Sequence, residues 1–360
     1  MRILAVDLGA SLRGGQRQTL LVSSALAGGG EDVALVAREG SPLARDAAAA
    51  GLALHPVRGS GEASPGFVLG LRRAFRSFRP DVVWAGDAWA HGAAVWALLQ
   101  LRAPLAVHRR VAFAPRLHPL SRLKYAAADL YLAVSSAVAE SLERAGVPGR
   151  KIRIVRDGLS PEAFRDDPPP PSPPFRLVHA GAFDGRKGQE LVVDLLARLV
   201  SRGTDATALF LGDGPQRPAV EERAAAAGLR ERCEFRGEVA GPTAVSSGLA
   251  ASHILLLPSE SEGAALVLAE AMAAGCVPVA HDVGGCAEVL DGGAGGRLVP
   301  SLDLAAWDGA VSSLLLDPAE RTRLAERGRR LAAERTIANA AARIREELAA
   351  LVGGAGGAAR

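Results

Sequence analysis

Apolar runs of four to seven residues recur along the chain, each followed by a stretch with helical spacing. Before residue 166 the runs are RILAVDL, DVALVA, DVVWAG, APLAVH, LYLAVS and KIRIVR. After residue 174 they are FRLVHAG, TALFLGDG, CEFRGEV, ILLLPS, VPVAHD and GRLVP. Short, nearly continuous apolar runs bounded by turn residues predict strands buried on both faces. The stretches between them predict helices: RQTLLVSSALAGGG, GQELVVDLLARLVSRG, QRPAVEERAAAAGL, GAALVLAEAMAAG and LAAWDGAVSSLLLD. The first of these ends in a glycine stop. Strand–helix alternation of this kind predicts parallel sheets covered by helices, an α/β fold.

Between the two series lies DDPPPPSPPF, with six prolines in seven residues. Such a run is neither helix nor central strand and reads as a stiff spacer. The expected division is a first doubly wound domain over 1–166, a linker over 167–175 and a second doubly wound domain over 176–335. The closing stretch PAERTRLAERGRRLAAERTIANAAARIREELAALV is charged and amphipathic. Its last part, 336–352, is expected as a helix crossing back to the first domain, with 353–360 a disordered tail. In open parallel sheets ligands sit beyond the carboxyl ends of the strands, so two such domains are expected to face a central cleft.

Composition adds a few exclusions. Apolar residues make up 49% and charged residues 22%, ordinary for a globular chain, and the formal charge is only +3. That balance is no nucleic-acid signature. The three cysteines, Cys233, Cys276 and Cys286, fit no zinc or CxxC spacing, and a reducing, cytoplasmic setting is expected. MRILAVDLG lacks a signal-peptide apolar region, and no uninterrupted apolar stretch is long enough to span a bilayer. The charge is uneven, however: Arg102 to Lys124 contains six Arg or Lys, two His and no acid. Arg109, Arg110, Arg116, Arg122 and Lys124 alternate there with Phe113, Leu117, Leu120 and Leu123. Such a segment suits an anionic lipid-linked acceptor or peripheral contact with the inner face of a membrane.

The stretch SESEGAALVLAEAMAAGCVPVAHDVGGCAEVL places Glu262 before a predicted helix and Glu270 inside it, with seven residues between. Glu270 interrupts an apolar run, and a carboxylate in such surroundings needs polar partners. If the segment were helical throughout, the two backbones would lie roughly 12 Å apart, a span that suits two hydroxyl-bearing rings joined by a diphosphate. The backbone N–H groups over Gly263, Ala264, Ala265 and Leu266 are expected at a positive helix end, where they could hold phosphates.

This stretch resembles the signature segment of family 4 glycosyltransferases, which have the GT-B fold of two Rossmann-like domains. The family pattern is E-x7-E, then E-A-M-A-x-G and P-V, then G-G-x-x-E, here Glu262, Glu270, Pro278, Gly284, Gly285 and Glu288. LVHAGAFDGRKGQELVV, FLGDGPQRPAVEE and KIRIVRDGLSPEAF also resemble family segments, and the likeness is good over most of 130–300. It implies a retaining enzyme that takes a UDP- or GDP-linked sugar in the second domain and passes it to a glycan or lipid-linked acceptor. It implies that Glu270 holds the ribose, Glu262 the donor sugar and Lys187 the diphosphate. His108, at the end of a strand, matches a family histidine close to the donor sugar. Gly14 and Gly15 match an early glycine loop where backbone approaches phosphate or acceptor. Arg236 and Gly237 match the neighbourhood of the base.

The chain departs from the family at Ala182, where arginine usually follows the glycine of the opening strand. Arg186 is either its substitute or a solvated loop residue. The aromatic residue that usually follows E-G is also missing, replaced by Ala264. No D-x-D is present, and neither a metal nor another cofactor is expected. Transfer from the front face of the sugar, in cell-envelope polysaccharide or lipopolysaccharide synthesis, is the expected activity. A nucleotide-sugar 2-epimerase and a catalytically weak nucleotide-sugar-binding subunit remain as alternatives.

Overall fold

In the computed structural model the described residues are 1–99, 101, 103–112, 119–167, 170, 172–239 and 241–357. They form two compact units. The first takes residues 1–158 together with 337–360, and the second takes 159–336.

The first unit runs β1 (Arg2–Asp7), α1 (Gly14–Gly28), β2 (Asp32–Arg38), α2 (Pro42–Ala49), β3 (Ala53–Val57), α3 (Pro65–Phe78), β4 (Val82–Ala85), α4 (Ala88–Leu98), β5 (Leu105–Arg109), α5 (Pro119–Ala127), β6 (Leu130–Ala133), α6 (Ser136–Arg144) and β7 (Ile152–Ile154). The second runs β8 (Phe175–Ala180), α7 (Gln189–Ser201), β9 (Ala206–Leu211), α8 (Arg217–Ala226), β10 (Cys233–Phe235), α9 (Gly241–Ala250), β11 (Ile254–Leu257), α10 (Leu266–Ala274), β12 (Val277–His281), α11 (Cys286–Val289), β13 (Arg297–Val299), α12 (Leu304–Leu316) and α13 (Pro318–Ala333). A last helix, α14 (Ile337–Gly357), belongs to the first unit.

Each unit holds one parallel sheet. The strand order is β3-β2-β1-β4-β5-β6-β7 in the first and β10-β9-β8-β11-β12-β13 in the second. Both orders are doubly wound, with the direction of winding reversing between β1 and β4 and between β8 and β11. Ligands in such sheets sit at that reversal, outside the carboxyl ends of the strands.

The central strands are apolar because both their faces are covered. In the second sheet Leu177, Ile254 and Leu256 pack with Val192, Leu196 and Trp307 of α7 and α12. Their alternates Val178, Leu255 and Leu257 pack with Leu249, Leu268 and Met272 of α9 and α10. In the first sheet Ile3, Ala5 and Leu35 pack under Val22 and Leu26 of α1 and Ile344 and Leu348 of α14.

The expectations differ from the structure in four places. β3 was not expected: ALHPV carries a proline and a histidine, which the sheet tolerates because β3 is its outermost strand. The change of unit falls at Gly158/Leu159, ahead of the proline stretch, because Leu159 and Ala163 bury their side chains in the core of the second unit. Of the proline stretch, Pro168, Pro169 and Pro171 lie outside the described residues. The closing helical region is two helices, broken at Thr336, which pairs with Leu159 in a β-bridge. Residues 353–357, expected in a disordered tail, continue α14.

Candidate functional site

The reversal point of the second sheet brings together residues far apart in sequence. Lys187 lies in the loop after β8, and Glu262 in the loop after β11. The Lys187 Nζ donates to Glu262 Oε1 at 2.7 Å. The carboxylate side chain is only 9% exposed and the lysine 25%, so the pair is largely withdrawn from water.

Two glycines hold this geometry. Gly188, next to Lys187, has φ +70°, and a Cβ there would lie 2.3 Å from the carbonyl oxygen of Pro258. The Lys187 loop is thereby pressed onto the segment leaving β11. Gly284 has φ +56°, and a Cβ there would lie 1.8 Å from the carbonyl oxygen of Glu262. Both positions require glycine on steric grounds.

The helix expected from Ala264 starts at Leu266, because Ala265 adopts φ +43°, a left-handed conformation at the N-cap of α10. Glu262, Gly263 and Ala264 are therefore loop residues, and the 12 Å spacing of an unbroken helix does not apply. Leu266 opens the helix and is partly buried, as is Glu270 at its middle. A non-glycine residue in the left-handed region is a strained feature of a kind concentrated at ligand sites.

The loop after β8 is tied to the loop after β9. The Phe183 N–H donates to the Asp213 carbonyl at 3.0 Å, and Gly212 lies so near Gly181 that a Cβ would approach the Gly181 oxygen to 2.1 Å. Gly237 joins the same wall: Gly212 N–H donates to its carbonyl at 2.8 Å. Arg236 is exposed and its Nε donates to Glu234 at 2.5 Å. Arg186 is exposed, its guanidinium bonded to Asp184 at 3.0 Å. It is a solvated loop arginine, turned to its own loop.

Below this loop His179 is fully buried at the end of β8. Its Nδ1 donates to the Leu256 carbonyl at 2.9 Å, so Nε2 is the lone-pair nitrogen. Burial above all, with a smaller contribution from nearby Lys187, lowers its pKa to about 4 against the effect of that hydrogen bond. Cys286 is buried at the start of α11, and its thiol is pushed up to about 12 by burial, with Glu262 adding to the effect. Among the described residues no group of three His, Cys, Asp or Glu could hold a metal ion.

In the first unit His108 is not open to a ligand. Its side chain is 0% exposed. Nδ1 accepts from the Arg110 guanidinium at 3.0 Å, and Nε2 lies 4.0 Å from Asp157. Burial, then the Arg110 charge, holds its pKa well below 6.5, so the ring is neutral. Arg110, which the sequence placed only within a basic run, is turned inward here. Its Nε donates to Asp157 at 3.1 Å and its Nη1 to the Gly86 carbonyl at 2.9 Å. Burial raises the Asp157 pKa, an effect that Arg110 opposes. A Cβ at Gly15 would lie 3.5 Å from Arg110 Cδ, whereas nothing lies within 4 Å of a Cβ at Gly14. Phe113, Arg116 and Leu117 of the basic segment lie outside the described residues.

Two family models match. One, described as Glycosyl transferases group 1, covers residues 161–331, and the other, Glycosyltransferase Family 4, covers 12–163. Among curated relatives, alpha-D-kanosaminyltransferase of Streptomyces kanamyceticus is 33% identical over 168 residues, 46% of this chain and 42% of that protein. The 2-deoxystreptamine glucosyltransferase of the same organism is 32% identical over 190 residues, 48% of each chain. The chain thus spans a little under half the length of these relatives. Among solved structures, Anabaena HepE in complex with UDP and glucose superposes with a TM-score of 0.82 at 18% identity, covering 97% of this chain and 100% of that one. Sucrose-phosphate synthase of Thermosynechococcus elongatus gives 0.80 at 21%, covering 97% and 99%. At these identities the likeness is one of fold, two Rossmann-like units of the GT-B kind.

Proposed function

Because the chain belongs to the family 4 glycosyltransferases, we propose that it moves a sugar from a nucleotide-sugar donor to a glycan or lipid-linked acceptor, without a metal and with retention at the anomeric carbon. The observation that carries this reading is the Lys187–Glu262 pair at the reversal point of the second sheet, with Glu270 on the helix that follows.

In the proposed reaction Lys187 turns from Glu262 to the diphosphate and stabilises the charge that develops on the leaving group. The first-turn N–H groups of α10 act on the same charge. Glu262, released from the lysine, accepts hydroxyls of the donor sugar, and Glu270 holds the ribose. The leaving phosphate takes the acceptor proton as the acceptor attacks from the same face. UDP is the first nucleotide to test, since HepE, alike in fold, was solved with UDP and with UDP-glucose. The acceptor is proposed to belong to the cell envelope, with residues 102–124 in contact with the membrane face on the cytoplasmic side. The basic, acid-free composition of that segment supports this. No helix among the described residues is long and apolar enough to cross a membrane.

A second reading, a nucleotide-sugar-binding subunit with little transfer activity, is favoured by one observation: Ala182 lacks a cation and Arg186 is engaged with Asp184. Calorimetry with UDP, GDP and their common sugars, on the wild type and on Glu270→Ala, separates the cases. Binding of one nucleotide that is lost in Glu270→Ala, with donor consumed only when acceptor is present, supports transfer. Binding without turnover supports the subunit. Turnover of donor alone supports an epimerase, and no binding of any nucleotide overturns the donor site.

A further inference from the structure

Three helices of the first unit, α3, α4 and α5, carry an outward face that the core does not use. Among the large apolar side chains that stand exposed are Leu69 on α3, Trp89 and Trp96 on α4, Leu99 just after it, and Leu123 on α5. Trp96 is 41% exposed and Leu99 66%, whereas Trp84 and Trp307 are fully buried.

These side chains belong to one surface. Trp89 and Trp96 are seven residues apart, two turns along the same side of α4, roughly 10 Å. α3 lies alongside: its Phe67 ring meets Trp89 at 6.4 Å, and Arg72 donates to the carbonyls of Trp96 and Ala97 at 3.1 and 3.2 Å. α5 joins the other end, where Lys124 Nζ donates to the Ala88 carbonyl at 3.0 Å.

The charge on this surface has one sign. α3 carries Arg72, Arg73 and Arg76, α5 carries Arg122 and Lys124, and none of the three helices contains Asp or Glu. Of the acids beside them, Glu62 is already ion-paired with Lys124, and Asp81, Asp87 and Asp129 accept from the backbone N–H groups of Arg2, Leu8 and Leu105. Arg73, Arg76 and Arg122 are exposed.

We propose that this α3–α4–α5 face docks on an anionic lipid bilayer, with Trp89, Trp96, Leu69 and Leu99 entering the headgroup boundary and the arginines meeting lipid phosphates. Exposed tryptophan and leucine among arginines are the composition of an interfacial surface. A second copy of the chain is the poorer occupant, because a two-fold contact through this face would set its arginines against one another. The inference rests on the reading that the protein works at a membrane, and it assigns the contact to α3 and α4 beyond residues 102–124.

The test is co-sedimentation and tryptophan emission with vesicles of phosphatidylcholine alone and of phosphatidylcholine mixed with phosphatidylglycerol, at low and high salt. The wild type is expected to bind only the anionic vesicles, less so in salt, with a blue shift that belongs to Trp89 and Trp96 because the other two tryptophans are buried. Arg73→Ala with Arg76→Ala should weaken binding about fivefold per arginine. Trp96→Ser with Leu99→Ser should remove most of the blue shift, and both double variants should bind UDP as the wild type does. Wild-type binding that these variants leave unchanged would overturn the assignment to this face while keeping the membrane reading. No binding of the wild type to anionic vesicles would overturn both. Dimerisation in the ultracentrifuge that Trp96→Ser with Leu99→Ser abolishes, without vesicle binding, would give the face to a second copy.

Discussion

Lys187 and Glu262, 75 residues apart, meet in a 2.7 Å ion pair that closes the reversal point of the second sheet. Removing one partner of a mostly buried pair leaves the other charged and unpaired, which is costlier than removing both. Lys187→Met is therefore expected to destabilise the protein by about 2–4 kcal/mol, and Glu262→Gln with Lys187→Met to recover part of that loss. Transfer behaves differently, because Lys187 is proposed to act on the leaving group. Lys187→Met should lower kcat by about 100- to 1000-fold, and the double variant should not recover it. Urea unfolding and a donor-release assay on the same samples read the two effects separately. Recovery of activity in the double variant would show that the lysine serves only to neutralise Glu262.

The glycine beside Lys187 separates conformational strain from close packing. Gly188 and Gly203 both have positive φ, +70° and +84°, but only Gly188 has backbone within reach of an added Cβ. Gly203→Ala should cost about 1 kcal/mol, the left-handed penalty alone. Gly188→Ala must also push the Pro258 carbonyl away, so its loss should be larger, and nucleotide binding should weaken with it. Equal melting temperatures for the two variants would show that the loop moves away freely.

Much of this architecture is legible in the sequence, since every strand except β3 stands out as an apolar run, and α1, α7, α8, α10, α12 and the closing helical region follow from spacing, whereas α2 to α6 and α9 were not marked by it. What the runs do not carry is any force exerted from a distant part of the chain. AALVLAEAMAA looks helical from Ala264, yet the helix starts at Leu266, where Gly284 packs on the Glu262 backbone and Ala265 turns left-handed. The expected boundary at 335/336 falls at the break between α13 and α14, but its cause is remote: Thr336 leaves the helix to pair with Leu159, which precedes it by 177 positions. Glu262 and Glu270 stand out in the sequence as carboxylates around an apolar run, but their roles, and Lys187 altogether, were legible only through the family resemblance. His108 looked accessible at a strand end because the sequence does not say that Arg110 folds over it.

Arg110 and Arg186 separate on burial. Arg110 bonds the buried Asp157, the Gly86 carbonyl and His108, whereas Arg186 lies exposed against Asp184. Arg186→Ala should change stability by no more than about 0.5 kcal/mol, as for an exposed pair. Arg110→Ala should cost about 3–5 kcal/mol by stranding the Asp157 carboxylate, and Arg110→Ala with Asp157→Asn should restore part of it. Thermal melts of the three variants decide this; equal effects of Arg110→Ala and Arg186→Ala would mean that water reaches Asp157 readily.

At the reversal point of the first sheet two carboxyls, Asp7 and Asp87, face one another. Asp7, at the end of β1, accepts from Thr19 at 2.9 Å and Gln16 at 3.1 Å, while Asp87 accepts from the backbone N–H of Leu8 at 2.6 Å and of Ala90 at 2.7 Å. Burial, then the hydrogen bond to Asp7 and its charge, pushes the Asp87 pKa from 3.8 up to about 8. A carboxyl whose folded pKa is raised binds a proton that the unfolded chain has released. Its stabilisation is therefore complete below about pH 4 and is lost as pH rises, until the folded group ionises near pH 8. The loss approaches about 1.4 kcal/mol per pH unit inside that window. Asp87→Asn cannot ionise and its amide still donates to Asp7, so its stability should fall less steeply than that of the wild type between pH 5 and 8, an interval inside that window. Urea unfolding of both proteins across that interval gives the two slopes, and parallel slopes would mean that Asp87 is already ionised in the folded protein.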